Sequence, residues 1–155
     1  MKPWFSAPER QDAVQQAIEA WLGTPYFANN ASRGHGVGCV EFVHEVWVEA
    51  GAIPRLSLPR YQLDWAHHAT SSQLVNFLLN DPALRGRLVF VPILGQHLPG
   101  DLLALRSGRL DHHLAVIGKW EKVAHAVEDH GVIMHNLDEP KFAHRVLYSL
   151  RLLEP

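Results

Sequence analysis

At Pro99-Gly100 the sequence changes its period. Downstream, Leu102 to Leu105, Leu114 to Ile117, Val123 to Val127, Val132 to Met134 and Arg145 to Leu152 are short leucine-rich or β-branched runs. Ser107-Gly108, Gly118-Lys119, Asp129-His130-Gly131 and Asp138-Glu139-Pro140 separate them. Runs this short, joined by turn residues at this spacing, predict an antiparallel meander. Upstream the period is helical. Val14, Ile18, Trp21 and Leu22 form one apolar stripe after Pro8-Glu9-Arg10, and Gly23-Thr24-Pro25 stops it. A glycine-rich loop, Phe27 to Gly38, leads to a second helix from about Cys39, with Val40, Val43, Val46 and Trp47 on one face and Gly51 past its end. Ser71 or Ser72 caps a third helix running to about Leu79, which Asp81-Pro82 ends. Helices first and strands second is an α+β pattern.

The chain has 155 residues, 47% of them hydrophobic and 19% charged, which suits one domain with its own core. A net charge of -2 shows no basic excess of the kind a dedicated nucleic-acid binder carries. The most apolar stretch, Leu88 to Leu94, contains Pro92 and is far shorter than the roughly 20 residues of a spanning helix. The N-terminal residues lack the apolar core of a signal peptide, so the chain as encoded reads as cytoplasmic, virion-associated or released by lysis.

The single cysteine, Cys39, rules out an internal disulfide and any multi-cysteine zinc site. It stands after a glycine-rich loop and at the start of a helix, where the helix dipole favours a thiolate. A buried, inert cysteine beside a turn is the competing description. A sulfur nucleophile also needs a base and a group that orients the base. His113 opens one expected strand and His125 lies within the next, so a turn near Lys119-Trp120-Glu121 makes them neighbours. Alternation sends adjacent His112 to the opposite face from His113, and a one-residue register change would exchange them.

These residues fall in a recognisable order. Trp21-Leu22-Gly23-Thr24-Pro25-Tyr26, Gly36-Val37-Gly38-Cys39, Pro99-Gly100-Asp101-Leu102, His113-Leu114-Ala115-Val116-Ile117 and His125-Ala126 resemble the ordered motifs of NlpC-type cysteine peptidases, over about residues 15 to 135. The resemblance implies a papain-like fold, with N-terminal helices packed on an antiparallel sheet in a single domain over residues 1–155. It implies that Cys39 is the nucleophile, His113 the general base and His125 the orienting third residue. Tyr26 matches a tyrosine placed near the nucleophile, and Asp101 matches a structural turn residue. The implied reaction is hydrolysis of an amide through a thioester, on a peptidoglycan stem peptide or another small peptide, with no metal or organic cofactor.

The sequence departs from that pattern around the cysteine. Gly38 stands where the family usually has Asp, and Val40-Glu41 replace Ser-Gly. The apolar helix is similar to those of phage-associated or otherwise divergent members, whose partners include phage tail proteins. Residues 52–98 are longer than the usual connection and read as an insertion, either a lid or an added helical layer. Within it Trp65, with His67 and His68, is a candidate substrate contact. Two other functions fit the composition. A non-catalytic phage tail or assembly module on the same fold would explain the altered residues around Cys39. A metal-dependent hydrolase would use the eleven histidines, drawing on Asp111, His112, His113, His125, His130 and His135.

Overall fold

The computed structural model describes residues 1–58, 73–107 and 110–155. A 3-10 turn, Trp4–Ser6, precedes helix α1 (Pro8–Trp21). Pro8 occupies the first helical turn, where its missing N–H costs nothing. The expected apolar stripe is buried at Val14, Ile18 and Trp21, with Ala17 beside them, whereas Leu22 falls at the C-cap past the last helical turn and is exposed. Two short strands, β1 (Ala31–Ser32) and β2 (Gly36–Val37), form a small hairpin within the segment expected to be loop throughout. Helix α2 (Cys39–Glu49) follows directly. Helix α3 (Gln73–Asn80) matches the third expected helix, while its expected serine cap lies outside the described residues.

Strand β3 (Leu88–Val91) was legible only as an apolar stretch. The later strands are β4 (Leu102–Ser107), β5 (Leu110–Ile117), β6 (Lys122–Val127), β7 (Gly131–Asn136) and β8 (Val146–Leu152). A four-residue helix α4 (Pro140–Ala143) separates the last two. Among the described residues the pairings of this six-stranded sheet are all antiparallel, in the order β3-β8-β4-β5-β6-β7. The meander therefore holds from β4 to β7 only. The last strand crosses back to lie between β3 and β4, because β4 has a second edge to fill.

The period of two gives the sheet two apolar faces. Leu102, Ala104, Leu114, Val116, Ala124, Ala126, Leu150 and Leu152 join the main core with Ile18, Trp21, Phe42, Val46 and Trp47 of the helices. Leu103, Leu105, Ala115, Ile117 and Val123 face the other way and form a second cluster beneath Phe142 of α4. The long connection joins the main core at Ala52 and Ile53 and again at Leu78 and Leu84. Trp65, His67 and His68 lie outside the described residues. The two chain ends run side by side: Pro3 bridges Leu153, the N–H of Glu154 donates to the carbonyl of Lys2, and Arg10 pairs with Glu154. Among the described residues no helix is long and apolar enough to cross a membrane.

Candidate active site

Two of the motifs singled out in the sequence are devices that hold elements together. The Pro99-Gly100-Asp101-Leu102 turn crosses beneath the helices. Gly100 has φ +96°, and a Cβ there would stand 2.3 Å from the Phe5 ring, so glycine is required twice over. Its carbonyl accepts the indole N–H of buried Trp47 at 3.0 Å. The fully buried Asp101 carboxylate accepts the N–H of Leu98 at 2.8 Å and two N–H groups of Arg151 at 3.0 and 2.7 Å. Asp101 is thus committed to joining the turn to β8, the structural role expected of it.

The Gly23-Thr24-Pro25-Tyr26 segment is stitched to β7 and β2. Gly23 N donates to Val132 O, Val132 N to Thr24 O, and Val37 N to Pro25 O. Tyr26 bridges Val37 in parallel, one residue before Gly38 leads into α2. Tyr26 also lines an open cleft of about 370 Å³ with Gly23, Pro25, Asp129, His130 and Gly131. The sequence thus places the tyrosine at a concave surface beside the chain entering the cysteine helix.

Cys39 is the first residue of α2, is 3% exposed and forms no disulfide. The first α-helical bond of α2 runs from Phe42 N to Gly38 O, so the N–H of Cys39 lies in the helix's N-terminal turn, where the dipole is positive. Gly38 contributes no side-chain cap. The body of α2 packs against β5 and β6, the two strands that carry His113 and His125.

The two histidines are brought together, as expected. His113 Nε2 lies 2.7 Å from His125 Nδ1. The strands make room for this contact. Among the described residues β5 pairs with β6 only at Val116–Ala124 and Ile117–Val123, next to their turn, and the rings bond beyond the end of that ladder. On its other side β5 pairs Leu105 with His113 and then Arg106 with Asp111, which leaves His112 as the extra residue of a bulge. The bulge sits beside His113, where it breaks the strict alternation expected for this dyad and re-aims the chain. The side chains of Asp111 and His112 lie outside the described residues.

A third imidazole extends the pair. His135 Nε2 lies 3.0 Å from His125 Nε2. The β6–β7 register pairs His125 with Ile133 and Val123 with His135, so the two histidines are diagonal neighbours on one face. His135 Nδ1 is 3.1 Å from its acceptor, the carbonyl of Asn136, and 3.4 Å from Glu139 Oε2. Phe142 packs nearly perpendicular to the rings of both His125 and His135, at centroid distances of 5.4 and 4.8 Å. His125 is 4% exposed. Burial, then the proximity of His135 and Arg145, push its pKa down to about 3, so it stays neutral at physiological pH. In the sequence His135 stands out only among the candidate metal ligands, and nothing there marks Glu139 or Phe142 as part of the site. The signal was the Asp129-His130-Gly131 turn, which fixes the hairpin register. The ring nitrogens meet in pairs rather than at one point, and among the described residues no three His, Cys, Asp or Glu side chains are placed to hold a metal ion.

Helices packed on one face of an antiparallel sheet, with the cysteine opening one helix, define a papain-like α+β domain. Its fold is that of NlpC/P60 proteins. An NlpC/P60 family protein from Bacillus cereus superposes with a TM-score of 0.61 at 18% identity, covering 93% of this chain and 40% of that one. The NlpC/p60 domain of the peptidoglycan hydrolase SagA gives 0.55 at 17% identity, covering 90% and 96%. A protein described as similar to lipoprotein, of the NLP/P60 family, from Staphylococcus aureus gives 0.59 at 18% identity, covering 99% and 44%. The chain thus spans less than half of two of these proteins and nearly the whole of the SagA domain. No family model and no curated protein matches the sequence.

Proposed function

We propose that this protein is a cysteine hydrolase that cleaves an amide bond in a peptidoglycan stem peptide. The observation that carries the reading is the 2.7 Å contact between His113 and His125, on the two strands whose other face packs against the Cys39 helix. The fold shared with the peptidoglycan hydrolase SagA domain supports the choice of substrate.

In this reading the thiol of Cys39, at the first residue of α2, works with His113, which stands beside the bulge of β5. His113 uses Nδ1 toward the thiol, since its Nε2 is engaged by His125. The thiol proton passes to that Nδ1 and Sγ attacks the carbonyl carbon. The N–H of Cys39, at the positive end of α2, stabilises the oxyanion. His113 then gives its proton to the leaving amine as the C–N bond breaks, leaving a thioester. Water, deprotonated by His113, attacks the thioester, and the acid product leaves as Sγ regains its proton. His125 holds the imidazole of His113 in place throughout. Tyr26 and its cleft position the peptide. Residues 52–98 form an insertion, and Trp65 within it is a further substrate contact.

The test is release of fragments from stem peptides, followed by mass spectrometry, beside the rate of Cys39 alkylation against pH. Cys39→Ala abolishes release, and the wild-type thiol alkylates as a thiolate well below the ordinary cysteine pKa of about 8.5. Equal release by Cys39→Ala rejects the thiol mechanism. A slow thiol that titrates like free cysteine, with no release, makes the domain a binding module.

A further inference from the structure

We propose that His135 is a positioning residue that fixes which nitrogen of His113 carries the proton, acting through His125. This rests on the reading of His113 as the base of Cys39.

The argument starts at the far end of the chain of rings, where one partner has no choice. The carbonyl of Asn136 can only accept, so His135 Nδ1, 3.1 Å away, must donate and carry the proton. Glu139 Oε2, 3.4 Å from the same nitrogen, favours the same arrangement. A neutral His135 therefore has a bare Nε2. That nitrogen lies 3.0 Å from His125 Nε2, so His125 must supply the proton between them. His125 is neutral, so its Nδ1 is then bare. His113 Nε2, at 2.7 Å, must supply the next proton. A neutral His113 protonated on Nε2 has its lone pair on Nδ1, the atom a base needs to take a thiol proton. When His113 becomes an imidazolium, the chain keeps the same direction, because Nε2–H still points at a bare acceptor.

Without the third ring the direction is lost. His125 could then place its one proton on either nitrogen. Half of the choices would set Nδ1–H against His113 Nε2, leaving His113 protonated on Nδ1 and useless as a base. The register of β6 and β7 supplies the missing constraint by making His125 and His135 diagonal neighbours. Phe142 packs on both rings, and His125 is 4% exposed, which leaves water little access to the nitrogens of that middle ring.

The experiment reads ring tautomers by long-range proton–nitrogen NMR of protein labelled in histidine, in the wild type, His135→Gln and His135→Phe. Gln can place Oε1 near the site of the lost Nε2 and accept from His125, whereas Phe keeps the ring packing and removes the acceptor. In the wild type, His113 and His125 carry their protons on Nε2 and His135 on Nδ1. In His135→Gln the tautomers of His113 and His125 are unchanged, and kcat and Cys39 alkylation at neutral pH stay within about twofold. In His135→Phe, His113 acquires an Nδ1-protonated population, and kcat and alkylation fall by about tenfold, the lower end of what an outer hydrogen-bonding partner contributes, with KM unchanged. A wild-type His113 protonated on Nδ1, or a His113 tautomer indifferent to His135→Phe, overturns the proposal. So does a Gln variant as impaired as the Phe variant. The wild-type spectrum alone can overturn it if a variant does not fold. Failure of the nucleophile reading looks different: a slow Cys39 beside the ring tautomers stated above.

Discussion

His125 couples the site to the stability of the fold. Its pKa is about 3 in the folded chain, against about 6.5 for an unperturbed imidazole. Between these values the unfolded chain binds the extra proton and the folded chain does not. The contribution of neutral His125 is therefore complete above about pH 6.5 and is lost as the pH falls toward 3, at on the order of 1 kcal/mol per pH unit. Burial also lowers the pKa of His44, whose Nε2 accepts the N–H of Leu56 at 2.9 Å, so it contributes with the same sign. Denaturant midpoints measured at pH 5 and pH 7 will show the lower stability at pH 5. His125→Gln will flatten that dependence without removing it, since His44 remains. At this scale Cys39, His113 and His125 were visible in the sequence as one thiol and two imidazoles at motif spacing. His135 was visible as a histidine but not as their neighbour, because nothing in composition distinguishes a ring that bonds another ring from a metal ligand.

The β5–β6 hairpin turns through Trp120 and Glu121, both left-handed with φ of 61° and 56°. Such a turn ordinarily uses Asn and Gly, which tolerate that conformation. Glu121→Gly is expected to stabilise the fold by about 0.5–1 kcal/mol, the strain removed less the entropy glycine adds, read as a rise in Tm. Gly100→Ala carries the opposite sign. A positive φ and a Cβ against the Phe5 ring combine to cost about 2–3 kcal/mol, measured by the same melt. Element types followed from periodicity wherever a run was long or bounded by turn residues, as in α1, α2 and β4 to β7. They failed where those cues were absent. β3 is four residues long, with Val89 and Phe90 exposed, so it shows no alternation. The short strands β1 and β2 are defined by backbone pairing alone, which glycine and serine do not announce.

At the scale of the molecule the sheet separates two jobs. One face carries the helices and the main core, and the other carries the smaller cluster sealed by Phe142. The return of β8 to the middle of the sheet could not be read from local sequence, because it depends on which edge is left open. It is secured by Asp101 and Arg151, a pair joining the turn before β4 to β8. Asp101→Ala leaves Arg151 without its carboxylate and is expected to cost about 3 kcal/mol. Denaturant unfolding checks this, with a loss below 1 kcal/mol contradicting it.

Because residues 2–3 and 153–154 run alongside one another, the segment between them is close to a closed ring. A short glycine-rich bridge can join these ends, and new ones can be cut at the wholly exposed Leu94, between β3 and the Pro99-Gly100 turn. Such a circular permutant keeps every pairing in the sheet. It should melt within a few degrees of the original and retain its thiol reactivity. The same adjacency lets the domain be spliced into a loop of a host protein, whose chain would enter and leave at almost one point.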